Sequence, residues 1–297
     1  GGGHARGLRP LILGRVDGAH VVASDEAPIT LLGGDVLREL APGELSVVEP
    51  RRLTSVRPFP KREASPCSLE PGLFAGPAGR TFGVTAEPYR EALGERLAVD
   101  APVEDADVIV GLPGEAQAGA HGYARIAKRP LVPALIAAEP SRHRPARPPR
   151  TLLGLEARLR WTVVPALVAN KRVVLVVPAL ATGQRVRDAV LLLRQAGAAS
   201  VDVRSIHPAA TQACRYGVSS PVSEELTLPR FGTAEDVATW LDARSMAYQD
   251  AEAAMAILNE GRAEPVSWCQ ACMTGVYPIP PEAPEDQLGL FDVGSEG

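Results

Sequence analysis

The sequence predicts an α/β fold: a mostly parallel sheet with helices on both faces, joined to a smaller β-rich N-terminal unit. Three observations carry this. Val173 to Val177 is a non-alternating apolar run, as in a parallel strand covered on both faces. Val186, Ala189, Val190 and Leu193 then recur at helical spacing, with Gly197 where a helix would end. Ser200–Ile206 begins the next strand through Val201 and Val203, so strand, helix and strand succeed one another in mid-chain.

Composition bounds the function. With 297 residues, 45% of them hydrophobic, the chain can bury a substantial core. A formal charge of -4 with mixed signs gives no electrostatic case for nucleic acid or an anionic membrane surface. No apolar run reaches the roughly 18 residues of a membrane span, and a cytoplasmic protein is the expectation.

In chain order, Leu11–Leu13 and Val21–Ala23 read as strands around an Asp17-Gly18 hairpin turn. Leu31 to Leu40 suggests a short helix, and Leu45 to Val48 a strand. Arg51 to Pro66, rich in Arg, Lys and Pro, reads as a connector. Glu87 to Leu97 is helical, Asp107 to Val110 a buried strand, Gly111 to Gln117 a loop and His121 to Lys128 a helix. Glu139 to Arg150 is a Pro- and Arg-rich low-complexity segment. Beyond Ile206, helices are expected over Glu224–Leu228, Thr233–Arg244 and Ala247–Leu258, and then an extended tail.

The cysteines number four: Cys67, Cys214, Cys269 and Cys272. One C-x-x-C pair with two distant single thiols is the arrangement of a four-thiolate site assembled by folding, for Zn²⁺ or an iron–sulfur cluster. Spacing does not separate the two metals. Two disulfides, or four unrelated buried thiols, are the competing readings.

Several segments carry a family likeness: HARGLRPLILG (4–14), VVASDEAPITLLGGDVLRELAPGELSVV (21–48), SPCSLE (65–70), LVANKRVVLV (167–176) and CQACMTGVYPIP (269–280). The sequence resembles the glutamine phosphoribosylpyrophosphate amidotransferases, in their cluster-bearing branch. The resemblance implies a phosphoribosyltransferase-type sheet over residues 61–277, a β-rich remnant of a glutaminase (N-terminal nucleophile hydrolase) domain over 1–60, and an extended tail over 278–297. It also implies that Cys67, Cys214, Cys269 and Cys272 hold a structural 4Fe-4S cluster, which favours iron–sulfur over zinc. The likeness enters only the last part of the glutaminase half, so that half's Cys nucleophile has no counterpart. Glutamine hydrolysis by this chain alone is then not expected: ammonia would come from a separate glutaminase-type chain, or not be needed, or residues upstream have been lost; a homo-oligomer is the other partner expectation.

The phosphoribosyl site departs from the resemblance. The family's adjacent Asp pair, which holds the ribose hydroxyls, falls on Val177 and Pro178, so Mg²⁺ is not expected either. The phosphate-binding end falls on Thr182, Gly183, Gln184 and Arg185, which with the following helix N-terminus still suit an anion. The Asp of the pyrophosphate loop falls on Gly114, followed by Glu115, an anion beside the place of an anionic ligand. The flag loop falls on Ala137 to Pro140, without its Lys and Arg. A transition state that parts pyrophosphate from ribose needs positioned charge, so the expectation is a divergent, pseudoenzyme-like member with a structural or regulatory role. The alternative is an enzyme making phosphoribosylamine from ammonia, or acting on a changed substrate.

His4, His20, His121, His143 and His207 show no ligand spacing and read as surface or loop residues, while Tyr89, Tyr123, Tyr216 and Trp240 read as packing. Gln287-Leu288-Gly289-Leu290-Phe291 is similar to the pentapeptide with which partners dock on bacterial sliding clamps.

Overall fold

The computed structural model describes residues 4–49, 52–60, 62–137, 160–217 and 221–279. Four strands, Val108–Gly111, Arg172–Val177, Ser200–Ser205 and Ser245–Tyr248, lie side by side in that order and are all parallel. The central strand, Arg172–Val177, shows why the apolar run does not alternate. Val173, Leu175 and Val177 enter one core with helices Gln184–Gln195 and Ala234–Leu241. Val174 and Val176 enter the other, with helices Ala86–Asp100, Ala116–Ala127 and Ala251–Asn259. All five are fully buried, so either face would reject a polar side chain.

Helices Ala86–Asp100 and Ala116–Ala127 approach so closely that a Cβ on Gly94 or Gly122 would overlap the backbone of the facing helix. Helix Ala234–Leu241 starts where its sequence says it should: the Thr233 hydroxyl accepts the Asp236 N–H at 3.1 Å. Arg90 is 1% exposed and ties the first helix to the π-helical turn Glu70–Phe74, donating from Nε to Gly72 O (2.8 Å) and from Nη2 to Ala75 O (2.7 Å).

At the opposite edge, charged residues span all four strands. Arg172 donates to both Asp107 oxygens, and Arg244 pairs with Asp105 and with Asp202, which is 2% exposed.

The N-terminal unit holds an antiparallel sheet in which strand Ile12–Val16 lies between Ala19–Ala23 and Asp35–Glu39. A separate hairpin pairs Leu45–Glu49 with Arg52–Val56. The turn at Asp17 and Gly18 is present, with φ of 48° and 80°.

Four sequence expectations are corrected. Leu31 to Leu40 is not a helix: the helix is Ala27–Leu31, Gly33 at φ 72° breaks it, and Asp35–Glu39 is a strand. Arg52–Val56 is a strand and not part of a connector, since each of its residues pairs in antiparallel register with Leu45–Glu49. The helix begun at His121 starts earlier, at Ala116, which shortens the preceding loop. The C-terminal helix starts at Ala251, because Ser245–Tyr248 is the fourth parallel strand. The 139–150 segment, the greater part of the tail and the Gln287–Phe291 pentapeptide lie outside the described residues. No helix among the described residues is long and apolar enough to cross a membrane.

Candidate functional site

The carboxyl ends of parallel strands are where an open α/β sheet offers loops to a ligand. Leu112–Glu115 follows the first strand, Pro178–Gly183 the second and Ile206–His207 the third. The first loop is anchored by the Leu112 N–H on Val176 O (2.8 Å). Gly114 is exposed at φ 111°, with nothing within 4 Å of the place a Cβ would take. An Asp there would adopt a backbone conformation that L residues avoid. Glu115, also exposed, begins helix Ala116–Ala127 without capping it.

The second loop is held from both sides. Leu180 is 3% exposed and joins the core of Val177, Val186 and Trp161. The Thr227 N–H donates to Ala181 O at 2.9 Å. Gly183 sits at φ 72°, and a Cβ on it would come within 2.8 Å of both Thr227 and Trp240. Helix Gln184–Gln195 therefore opens on a glycine with no side-chain cap, leaving amide donors at the dipole's positive end. Thr182, Gln184 and Arg185 are exposed beside it. The Gln184 side chain turns to Asp188 (2.9 Å), and the Arg185 guanidinium lies 5.9 Å over the Trp161 ring. The Gln184 and Arg185 side chains are thus turned to neighbours within the fold, away from the helix start.

His207 was missed as an interior residue. It is 1% exposed, with Nδ1 2.7 Å from Pro178 O. Nδ1–H must be the donor, because a carbonyl only accepts. Nε2 then faces Gly72 without a partner among the described residues, and a Cβ on Gly72 would overlap it. Burial pulls the imidazole down to about 4, against the Pro178 bond, which favours the proton. No sequence signal marks it: a single His after a strand carries no periodicity.

The four cysteines lie at one place. Cys67 and Cys269 form a parallel backbone bridge, with the Cys269 N–H on Pro66 O (2.8 Å) and the Ser68 hydroxyl on Cys269 O (2.9 Å). Thr211 and Gln212 N–H groups donate to Cys272 O at 2.8 and 3.0 Å. The Tyr216 N–H donates to Cys214 Sγ at 3.4 Å, and the Tyr277 hydroxyl to Ala213 O at 2.6 Å. Three distant segments are thus stitched around the thiols. The four lie within electrostatic reach of one another: Cys269 and Cys272 act on Cys67, and Cys214 acts on Cys269 and Cys272. Burial pushes the Cys67 and Cys272 thiols up to about 12. Among the described residues, no three His, Cys, Asp or Glu side chains form a closed metal-holding group. The donor chemistry fits a thiophilic metal; the arrangement is not drawn in to ligating geometry.

No family model matches the sequence. Curated relatives do. The chain is 32% identical over 277 residues to the chloroplastic amidophosphoribosyltransferase of Glycine max, covering 93% of this chain and 48% of the relative. To the amidophosphoribosyltransferase of Bacillus subtilis it is 30% identical over 273 residues, covering 92% and 57%. The solved glutamine phosphoribosylpyrophosphate amidotransferase from B. subtilis, complexed with ADP and GMP, superposes at a TM-score of 0.82 with 31% identity, over 93% of this chain and 60% of that one. A structure described as the allosteric regulatory enzyme of purine biosynthesis gives 0.83 with 30% identity, over 93% and 59%. The chain spans about half the length of the curated relatives it matches. It is homologous to amidophosphoribosyltransferase, and its parallel sheet matches the phosphoribosyltransferase fold of those structures.

Proposed function

We propose that this chain is a divergent amidophosphoribosyltransferase-like protein of purine-biosynthesis ancestry. On this reading it does not perform ordinary phosphoribosyl transfer, and it serves a structural or regulatory role. The observation that carries the reading is the end of the central strand. A ribose held by two hydroxyls needs polar side chains there, and Val177 is spent on the core while the Pro178 carbonyl is taken by His207. Gly114, at φ 111°, makes the neighbouring loop a poor place for the acid that the resemblance expects. Removing one positioned group from such a site commonly costs about a hundredfold or more in rate, and here several are lost together.

Cys67, Cys214, Cys269 and Cys272 would hold a 4Fe-4S cluster, with Zn²⁺ the competing occupant. Four thiols gathered from three segments suit either, and a four-thiolate site suits a reducing, cytoplasmic setting. When bound, the group would cross-link the three segments that already meet there.

The test is ammonia-dependent pyrophosphate release from phosphoribosyl pyrophosphate by anaerobically purified protein, against a heat-denatured control. The expected result is no release, and no thermal stabilisation by phosphoribosyl pyrophosphate. Release above the control overturns the reading in favour of an active ammonia-dependent enzyme built on Thr182 to Arg185.

A further inference from the structure

A second cluster of donors lies away from the sheet edge. The hairpin of strands Arg80–Thr81 and Val84–Thr85 turns through Phe82 and Gly83 at φ of 51° and 77°. Two guanidinium groups converge on this turn. Arg262 is fixed: Nε donates to Leu258 O (2.9 Å), Nη2 to Phe82 O (2.6 Å), and its plane lies 5.3 Å over the Trp268 ring. Nη1 is left without an acceptor among the described residues. Arg80 is exposed, and its side chain makes no hydrogen bond or ion pair among the described residues.

The place a Cβ on Gly83 would take lies 3.8 Å from Arg262 Nη2 and 4.0 Å from Arg80 Nη2. Apart from the turn's own residues, no other described heavy atom comes within 4 Å of it. It is an open notch between two cations. Helix Ala86–Asp100 begins four residues beyond Phe82, and the Thr85 hydroxyl at its start makes no cap bond. Arg80, Gly83, Thr85, Tyr89, Glu260 and Arg262 line a cavity of about 550 Å³ here, a volume that suits a small metabolite. Two acids are near. Glu260 is on the lining; Glu39 accepts the Phe82 N–H at 3.0 Å and feels both arginines.

We propose that this cavity binds a small phosphate-bearing metabolite, its phosphate seated in the notch between Arg80 and Arg262 at the start of helix Ala86–Asp100. Guanidinium forks satisfy phosphate oxygens in pairs, and they carry the site: at the helix start the Ala86 N–H is spent on Gly79 O (3.1 Å) and Pro88 has no N–H, so the helix adds its dipole rather than a set of donors. Two guanidinium groups facing one notch offer paired donors to the oxygens of a phosphate and balance its charge, while Glu260 on the lining opposes any anion and so limits the affinity.

The experiment is a titration of the intact chain with inorganic phosphate at constant ionic strength, read by calorimetry. Saturable binding is expected. Arg80→Gln should weaken it at least about tenfold, since charge-assisted bonds are the strong ones. Without phosphate its melting temperature should change little, because Arg80 makes no hydrogen bond or ion pair among the described residues and acts on Glu39 only at a distance. Arg185→Gln, at the sheet edge, should leave this binding as it is. No saturation through the millimolar range overturns the proposal. So does binding indifferent to Arg80→Gln, or binding abolished by Arg185→Gln, which would move it to the other site.

Discussion

The His207 imidazole and the Pro178 carbonyl are joined by a 2.7 Å hydrogen bond across the ends of two adjacent parallel strands. That bond fills the interior side of the loop where the resemblance places acids. It also fixes the tautomer, leaving Nε2 bare and buried.

Acid should therefore unfold the protein partly through His207. Its folded value is about 4, below the unfolded value of about 6.5. Between those values the unfolded chain binds the proton and the native one does not. Stability is full above about 6.5 and falls as pH drops toward 4, by up to roughly 3 kcal/mol. Glu70 works the other way: burial raises it to about 7 despite Arg9, so the native state loses stability as pH rises from about 4.5 to 7. Urea midpoints across this range, wild type minus His207→Asn, isolate the His207 slope; a parallel pair of curves would refute it.

Gly72→Ala should destabilise by about 1–3 kcal/mol, because its Cβ overlaps His207 Nε2. Combined with His207→Ala the added cost should largely vanish. A double-mutant cycle in urea checks this, and additive losses would mean the clash lies elsewhere.

Arg244→Met strands the buried Asp202 carboxylate with only the Ser245 hydroxyl. The loss should be about 3 kcal/mol, the low end for breaking a buried pair, since Arg244 is 38% exposed. Its partner Asp105 is held down to about 2 chiefly by the Arg244 hydrogen bond. Denaturation of the variant should thus also show less dependence on pH below about 4. A loss within experimental scatter would show that water reaches Asp202.

Anaerobically prepared protein should carry iron and acid-labile sulfide in equal amounts, and Cys272→Ser should reduce both together with thermal stability. Stoichiometric zinc, with no sulfide, would sink the iron–sulfur reading while leaving the four-thiolate site.

The central strand and its helix were legible because both cores lie in one contiguous stretch: Val173–Val177 marks the sheet and Val186–Leu193 the face packed on it. Ser245–Tyr248 was not. Its Ser, Met and Ala carry little strand preference, and only the neighbouring Ser200–Ser205 makes it a strand. Arg52–Val56 was hidden by the polar residues of a hairpin exposed on one side. At the sheet edge, the change from acids to Val177 and Pro178 could be read in the line of sequence. The occupation of that space by His207 could not, since it depends on Gly72, far away in the chain. The Arg80–Arg262 notch is hidden for the same reason: Arg262 reaches Phe82 across 180 residues.

The seam at the cysteines also governs when the protein can exist at all. Ser68 and Cys269, joined there, are 201 residues apart. During synthesis the first partner leaves the ribosome long before the second, and at about 5–20 residues per second the wait is tens of seconds. Through that interval the Cys67 segment can pair with Leu8, whose carbonyl takes the Cys67 N–H at 3.0 Å, but lacks its Cys269 partner. The order of manufacture thus sets a half-made seam that the finished molecule conceals, and such long-range closure is intrinsically slow.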